Sequence, residues 1–250
     1  LPPPSISALS AASGVVGTSI TISGSNFDST PANNIVRFGA VRGTVTAATA
    51  VQLTVTVPSG ASFAPIAVTT PIGLTAVSQT NFTPVFSASE AIDAASLAAK
   101  IDISLPGSDP LRVAAGDLDG DGKPDLVVAD YANYRISIFR SLSSPGSIVG
   151  GSFAARADFA VASQPSGVRL ADLDGDGLLD VIVSQASGGT GVVSVFRNTG
   201  TVGSISFATR VDFATSVAQA IAVADLDLDG KLDLAVGSGT GAILLWRNLS

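Results

Sequence analysis

Apolar residues along this chain alternate with polar ones in short runs, and almost nowhere recur every three or four positions. In the first 86 residues the runs are Ser19 to Ser23, Ile35 to Phe38, Gln52 to Val57, Ile66 to Thr70 and Ser78 to Phe82, with Gly, Pro, Asn and Ser between them. A period of two predicts half-buried strands, and turn residues at this spacing predict a small β-sandwich. Pro2 to Pro4 reads as an extended lead-in, with Leu1 to Ser5 available to add to a neighbour's sheet. Residues 87–96 form a linker, with a short helix expected over Ser87 to Ala95 and Glu90 in its first turn.

From residue 97 the pattern repeats. Three acidic segments, Asp117-Leu-Asp119-Gly-Asp121-Gly122-Lys-Pro-Asp125, Asp172-Leu-Asp174-Gly-Asp176-Gly177-Leu-Leu-Asp180 and Asp225-Leu-Asp227-Leu-Asp229-Gly230-Lys-Leu-Asp233, start 55 and 53 residues apart. A basic-x-Asp triplet precedes each: Lys100-Ile-Asp102, Arg156-Ala-Asp158 and Arg210-Val-Asp212. Before each triplet stands a large apolar residue, Leu97, Phe153 or Phe207. An apolar run follows each loop, then an alternating strand ending in Phe139-Arg140, Phe196-Arg197 or Trp246-Arg247. Each unit thus predicts four strands: one at the triplet, one on either side of the acidic loop, and one ending in the aromatic-Arg pair. Four-stranded antiparallel units in series are the pattern of propeller blades. The fold class expected is all-β: an Ig-like β-sandwich over 1–86, then three four-stranded β-propeller-type blades over about 97–152, 153–206 and 207–250.

Composition and charge narrow the chemistry. The chain has 250 residues and no Cys, His or Met, which excludes disulfides, thiol nucleophiles, Cys/His metal sites and a histidine base. It opens at Leu1, as a processed product or part of a longer chain would. No apolar run approaches the roughly 18 residues of a membrane span. Net charge is −7, from 13 basic and 20 acidic residues, and the basic ones are scattered singly. That argues against nucleic acid, whose phosphates need clustered Lys and Arg. Nineteen acids are Asp, and 12 of these lie in the three loops; without those 12, the chain has 8 acids against 13 bases. The acidity is therefore local.

Four carboxylates in nine residues repel one another and ask for a counter-charge. Positions 1, 3 and 5 (Asp117, Asp119, Asp121; Asp172, Asp174, Asp176; Asp225, Asp227, Asp229) converge on one side of a tight turn. Gly at position 6 permits the reversal, and the carbonyl at position 7 (Lys123, Leu178, Lys231) can then face inward. Position 9 adds a fourth carboxylate (Asp125, Asp180, Asp233). Every donor is a hard oxygen, the set Ca²⁺ takes in preference to zinc or copper, and Mg²⁺ prefers to keep its waters. Three Ca²⁺ are expected, and they would bring the net charge from −7 to −1. Leu228 replaces Gly at position 4 of the third loop, and since that position is no ligand a small effect is expected.

These repeats resemble the FG-GAP/VCBS family, the blade repeats of integrin-alpha-type propellers, over about 97–250. The resemblance implies a β-propeller with calcium clipping the blade edges and implies no catalysis. Residues 3–86 are similar to an IPT/TIG domain through Ser13-Gly14-x-x-Gly17-Thr18, Ile20-Thr-Ile-Ser-Gly24-Ser-Asn-Phe27, Val36-Arg-Phe38-Gly39 and Leu53-Thr-Val-Thr-Val-Pro58. That resemblance implies an immunoglobulin-like spacer or contact module. Three blades are fewer than the four to eight of a closed propeller, so either the chain continues past Ser250 or other subunits cover the ends. Open ends on identical chains would propagate into a filament.

Other chemistry has little support in the residues. No S-x-x-K pair or P-loop is present, and Gly188 to Gly191 and Gly237 to Gly241 read as hairpin turns. Arg140, Arg197 and Arg247 read as salt bridges within a blade, with a sugar or anion site between blades as the alternative. Tyr131 and Tyr134 flank one turn, and Asn81 and Asn248 head glycosylation sequons. The expected protein is a secreted, calcium-binding structural or adhesive surface protein and no enzyme. Its partners would be itself, as an oligomer or filament, or another surface protein or glycan. A lectin-like propeller and a non-catalytic arm of a larger secreted enzyme are the other two readings.

Overall fold

The computed structural model describes residues 2–85 and 97–250; the linker and short helix expected over 87–96 lie outside these. The chain begins with β1 (Ser5–Leu9), β2 (Ser13–Val15), β3 (Ser19–Ser25), β4 (Ile35–Phe38), β5 (Val41–Thr49), β6 (Gln52–Thr56), β7 (Ala64–Thr69) and β8 (Thr75–Val85). They are hydrogen-bonded in the order β1-β3-β6-β5-β4-β7-β8-β2. β5 turns the corner of this Ig-like sandwich. Val41 to Gly43 pair with β4, Thr44 to Thr49 with β6, and the register slips between Val45 and Ala47. Gly43 is needed there, because a Cβ would stand 2.8 Å from the Phe38 ring and 2.9 Å from Val55. Inward-facing Ile22, Val36, Leu53, Val55 and Ile66 are fully buried around Phe38 and Phe82. Those two rings meet edge to face at 5.1 Å.

The lead-in is already engaged within its own domain. Asn26 Nδ2 donates to the Pro3 carbonyl at 2.8 Å, and Ser5 pairs with Ser25 as β1 joins β3. Of the segment Leu1 to Ser5 expected to add to a neighbour's sheet, Pro3 is held by Asn26 and Ser5 opens β1, the edge strand of this sandwich.

Three antiparallel sheets follow. The first holds β9 (Pro110–Gly116), β10 (Asp125–Asp130), β11 (Arg135–Phe139) and β12 (Ala157–Ala160). The second holds β13 (Pro165–Ala171), β14 (Asp180–Ser187), β15 (Thr190–Phe196) and β16 (Val211–Thr215). The third holds β17 (Ala218–Ala224), β18 (Asp233–Ser238) and β19 (Ile243–Trp246), three strands among the described residues. Val127, Ile136, Ile138, Val181 and Val183 pack between the first two sheets, and Ile182, Val193, Ile221 and Val236 between the second and third.

One expectation changes here. The triplet strand does not open its own unit. β12, which carries Asp158, pairs with β11, and β16, which carries Asp212, pairs with β15, so each closes the sheet before it. Side chains explain the choice. Ser137 Oγ donates to Asp158 at 2.7 Å, and Ser194 likewise donates to Asp212. The next residue, Phe159, points between sheets and meets Phe196 and Phe207 edge to face. Lys100-Ile-Asp102 has no preceding blade to close and is not in a strand; its ends pair with each other at the surface.

Candidate metal centre

The acidic loops join the first two strands of each sheet: β9 to β10, β13 to β14 and β17 to β18. Positions 4 and 6 are left-handed in all three. Position 4 has φ 74° at Gly120, 73° at Gly175 and 64° at Leu228, and position 6 has 85° at Gly122, 91° at Gly177 and 90° at Gly230. Leu228 thus takes a backbone conformation that L-residues with a Cβ rarely adopt.

The same hydrogen bonds close each loop. The N–H of position 6 donates to Oδ2 of position 1 at 3.1, 3.0 and 3.0 Å (Gly122 to Asp117, Gly177 to Asp172, Gly230 to Asp225). Position 5 donates to Oδ1 of position 3, as in Asp121 to Asp119 at 3.1 Å. Lys123, Leu178 and Lys231 at position 7 donate to Oδ1 of Asp121, Asp176 and Asp229 at 2.9, 2.8 and 2.9 Å. In the second and third loops these bonds turn the first, third and fifth carboxylates toward one point. Carboxylate oxygens of Asp172, Asp174 and Asp176 lie within 4.8 Å of one another, as do those of Asp225, Asp227 and Asp229. In the first loop the gathered trio is Asp117, Asp119 and Asp125.

Position 9 has a second task that the spacing does not reveal. Oδ2 of Asp125, Asp180 and Asp233 accepts the N–H of Leu118, Leu173 and Leu226, each at 2.9 Å. Oδ1 accepts the N–H of Ser141, Asn198 and Asn248 at 2.7, 2.8 and 2.8 Å. Each carboxylate therefore ties the loop entrance to the end of the aromatic-Arg strand. The Arg before each latch residue completes the arrangement. Arg140, Arg197 and Arg247 pair with Asp119, Asp174 and Asp227 at 3.7, 3.4 and 3.5 Å, so the Arg that recurs in each unit stands beside position 3 of its own loop.

Neighbouring blades join at the loops. Asn198 Nδ2 donates to the carbonyl of Leu118 in the first loop and of Leu179 in the second, at 2.8 and 2.9 Å. Asn248 Nδ2 does the same for Leu173 and Leu232, so this sequon's amide is occupied in the fold. Gly203, beyond the second blade's aromatic-Arg strand, donates to Asp119 Oδ2 at 3.0 Å. Neither asparagine lies in an acidic loop, and their bridging role does not follow from the sequence.

The electrostatics ask for a cation. Asp117 and Asp172 are 3% and 7% exposed, and Oδ1 of each has no hydrogen-bond partner. A buried carboxylate oxygen left unpaired costs more than a lost hydrogen bond, so these two atoms fit a hard cation. Burial pushes Asp117 up from the usual carboxylate range, Asp125 and Asp172 up to about 6 and Asp180 up to about 7. Asp233 goes the other way, held down by the Asn248 N–H. The acidic clusters can hold metal ions, and their donors are oxygen throughout.

Two family models agree with this architecture. An IPT/TIG domain model matches residues 4–86, and an FG-GAP-like repeat model matches 117–183 and 172–236, taking in all three loops. A search of curated proteins finds no match. Among solved structures, the chain is similar to a putative phosphatase from Bacteroides thetaiotaomicron (16% identity, 94% of this chain, 53% of that one, TM-score 0.33). It is also similar to auxiliary nutrient binding proteins from the same organism (12% identity, 94% and 64%, TM-score 0.32) and from Bacteroides ovatus (10% identity, 98% and 85%, TM-score 0.30). The chain spans between half and two thirds of the length of the first two. No helix among the described residues is long and apolar enough to cross a membrane.

Proposed function

We propose that this chain, an IPT/TIG domain followed by FG-GAP-like repeats, is a calcium-stabilised extracellular protein of structural or adhesive kind and no enzyme. The pairing of these domains suggests a surface, adhesive or binding protein. One observation carries the calcium reading: Asp117 Oδ1 and Asp172 Oδ1 are buried, unpartnered and gathered with two further carboxylates each. Ca²⁺ would be held by Asp117, Asp119 and Asp125, by Asp172, Asp174 and Asp176, and by Asp225, Asp227 and Asp229, with the remaining loop carboxylates and the position 7 carbonyls of Lys123, Leu178 and Lys231 completing the oxygen set. Its role would be to neutralise loops that join neighbouring blades. Sites of roughly 10⁻⁴ to 10⁻³ M affinity already suffice in the millimolar calcium outside cells.

The finer reading is self-association into a filament. β19 pairs on one side only among the described residues, and it exposes Ile243 and Leu245. A bare strand edge with apolar side chains recruits another strand. Isothermal titration of metal-free protein tests the first reading: three Ca²⁺ per chain are expected, and no calcium heat at millimolar concentration would overturn it. Sedimentation velocity over a concentration series tests the second: growth with concentration supports it, and a monomer throughout removes it.

A further inference from the structure

The N-terminal sandwich rests on all three acidic loops. Against the first, the Asp117 N–H donates to the Ala40 carbonyl at 3.3 Å, just after β4. Against the second, Arg37 Nη2 donates to the Gly177 carbonyl from β4. The β7–β8 turn reaches the same loop, where a Cβ on Gly175 would stand 2.3 to 2.7 Å from the backbone of Gly73, and one on Gly177 would stand 2.3 Å from Ile35. Against the third, the Thr75 N–H donates to the Gly230 carbonyl at 2.7 Å.

These contacts share one property. They fall on the backbone of loop positions 1, 4 and 6, whose placement depends on the loop being closed around its carboxylates. A flat side-chain patch on the blades would tolerate loop movement, whereas hydrogen bonds to these carbonyls and a glycine-on-glycine approach do not.

Arg37 stands at the centre of the contact. It is 6% exposed, and its Nε and Nη1 have no partner. Burial pulls the guanidinium down, while Asp172 and then Asp117 favour its charge. One guanidinium cannot balance the two loops beneath it. Asp117, Asp119, Asp121, Asp125, Asp172, Asp174, Asp176 and Asp180 are eight carboxylates, against Arg37, Arg140, Arg197 and Lys123, which are four bases. The remaining charge of −4 falls to two divalent ions.

We propose that the N-terminal domain is a metal-dependent cap: its β4 strand, pinned by Arg37, and its β7–β8 turn dock on the acidic loops when these hold calcium and release when they are emptied. The domain arrangement then responds to calcium, and a surface buried under the cap becomes available only where calcium is low. This inference rests on the calcium reading above, and the experiment separates the two.

The chain has no cysteine, so Val51→Cys and Ala132→Cys, both at exposed positions away from the contact, accept spin labels without background. Calcium binding to the labelled full chain is measured by calorimetry, and the label-to-label distance by pulsed dipolar spectroscopy, with circular dichroism reporting the strands. A single narrow distance in calcium that is lost in EGTA, with strand content kept, supports the cap. Calcium binding with the same narrow distance in EGTA overturns the cap and leaves the metal sites standing. Absence of binding removes both. Arg37→Met on the labelled chain is the second arm. Loss of the narrow distance in calcium, with three ions still bound, supports the pin, and an unchanged distance overturns it.

Discussion

Asp117→Asn should reverse the sign of its effect on stability as calcium is added. The substitution keeps an acceptor for the Gly122 N–H, which Asp117 Oδ2 now receives at 3.1 Å. It replaces the partnerless Oδ1 with an amide donor, placed among the Asp119 and Asp125 oxygens gathered within 4.8 Å. Without metal, removing a buried and unpaired charge should stabilise the fold by about 1–3 kcal/mol. With calcium about a thousandfold above the Kd of the site, the parent gains about 4 kcal/mol by linkage, and the variant loses most of that at this loop. The balance is then a net loss of about 1–3 kcal/mol by the same linkage. Urea unfolding of parent and variant over a calcium titration gives both numbers, and the two stability curves should cross. A variant less stable than its parent in EGTA, or more stable at every calcium concentration, would refute the reasoning, because the first outcome denies the charge strain and the second denies the ligand.

Three further expectations follow from the same geometry. Leu228→Gly should stabilise the protein by about 0.5–1 kcal/mol: relief of a left-handed φ outweighs the entropy of an added glycine, and the side chain is 85% exposed, so little burial is lost; a lower urea midpoint would contradict this. Asn198→Ala should cost about 2–4 kcal/mol, since it removes hydrogen bonds to Leu118 and Leu179 and orphans both carbonyls; a shift in midpoint at unchanged m is the expected trace. For pH, Asp125 and Asp172 near about 6 and Asp180 near about 7 hold protons in the metal-free fold that the unfolded chain has lost. Their contribution is present below about pH 4 and disappears as pH rises through about 6 to 7, so metal-free stability should fall across that window while calcium affinity rises. Melting in EGTA that improves between pH 5 and 7 would show that these groups do not govern it.

What the sequence disclosed was what is local in it. The acidic loops announce themselves because nine residues contain the ligands, the turn glycine and the repulsion that calls for a cation. The strand Ile35 to Phe38 is found with its own boundaries, since alternation and flanking Asn and Gly mark it. β5 escaped because Gly43 and an Ala-Thr run resemble a loop, although Gly43 is there for the Phe38 ring. The triplet strands were placed in the wrong sheet because spacing to a loop does not name a pairing partner; the Ser137 and Ser194 hydroxyls do that. Leu228 was read only as a non-ligand, and its conformational strain follows from the φ of its glycine counterparts. Arg37 could not be read at all, since 140 residues separate it from the carbonyl it holds.

The three loops share one motif, yet their surroundings grade them. Asp117, Asp119 and Asp125 are all buried, roofed by the second blade through Gly203 and Asn198. Asp172 and Asp180 are buried while Asp176 is exposed. In the third loop none of Asp225, Asp227 and Asp229 is buried, and Leu226, whose counterpart Leu118 is fully buried, is 51% exposed. Water stabilises the third set of charges in the absence of metal and cannot reach the first. A cation therefore replaces good solvation at the third loop and supplies a missing counter-charge at the first two. Those two are also the loops that face Arg37 and whose carboxylates burial pushes up. The structural consequence of metal should be concentrated there, with the third ion adding little to the joint between blades beyond what its own hydrogen bonds already hold.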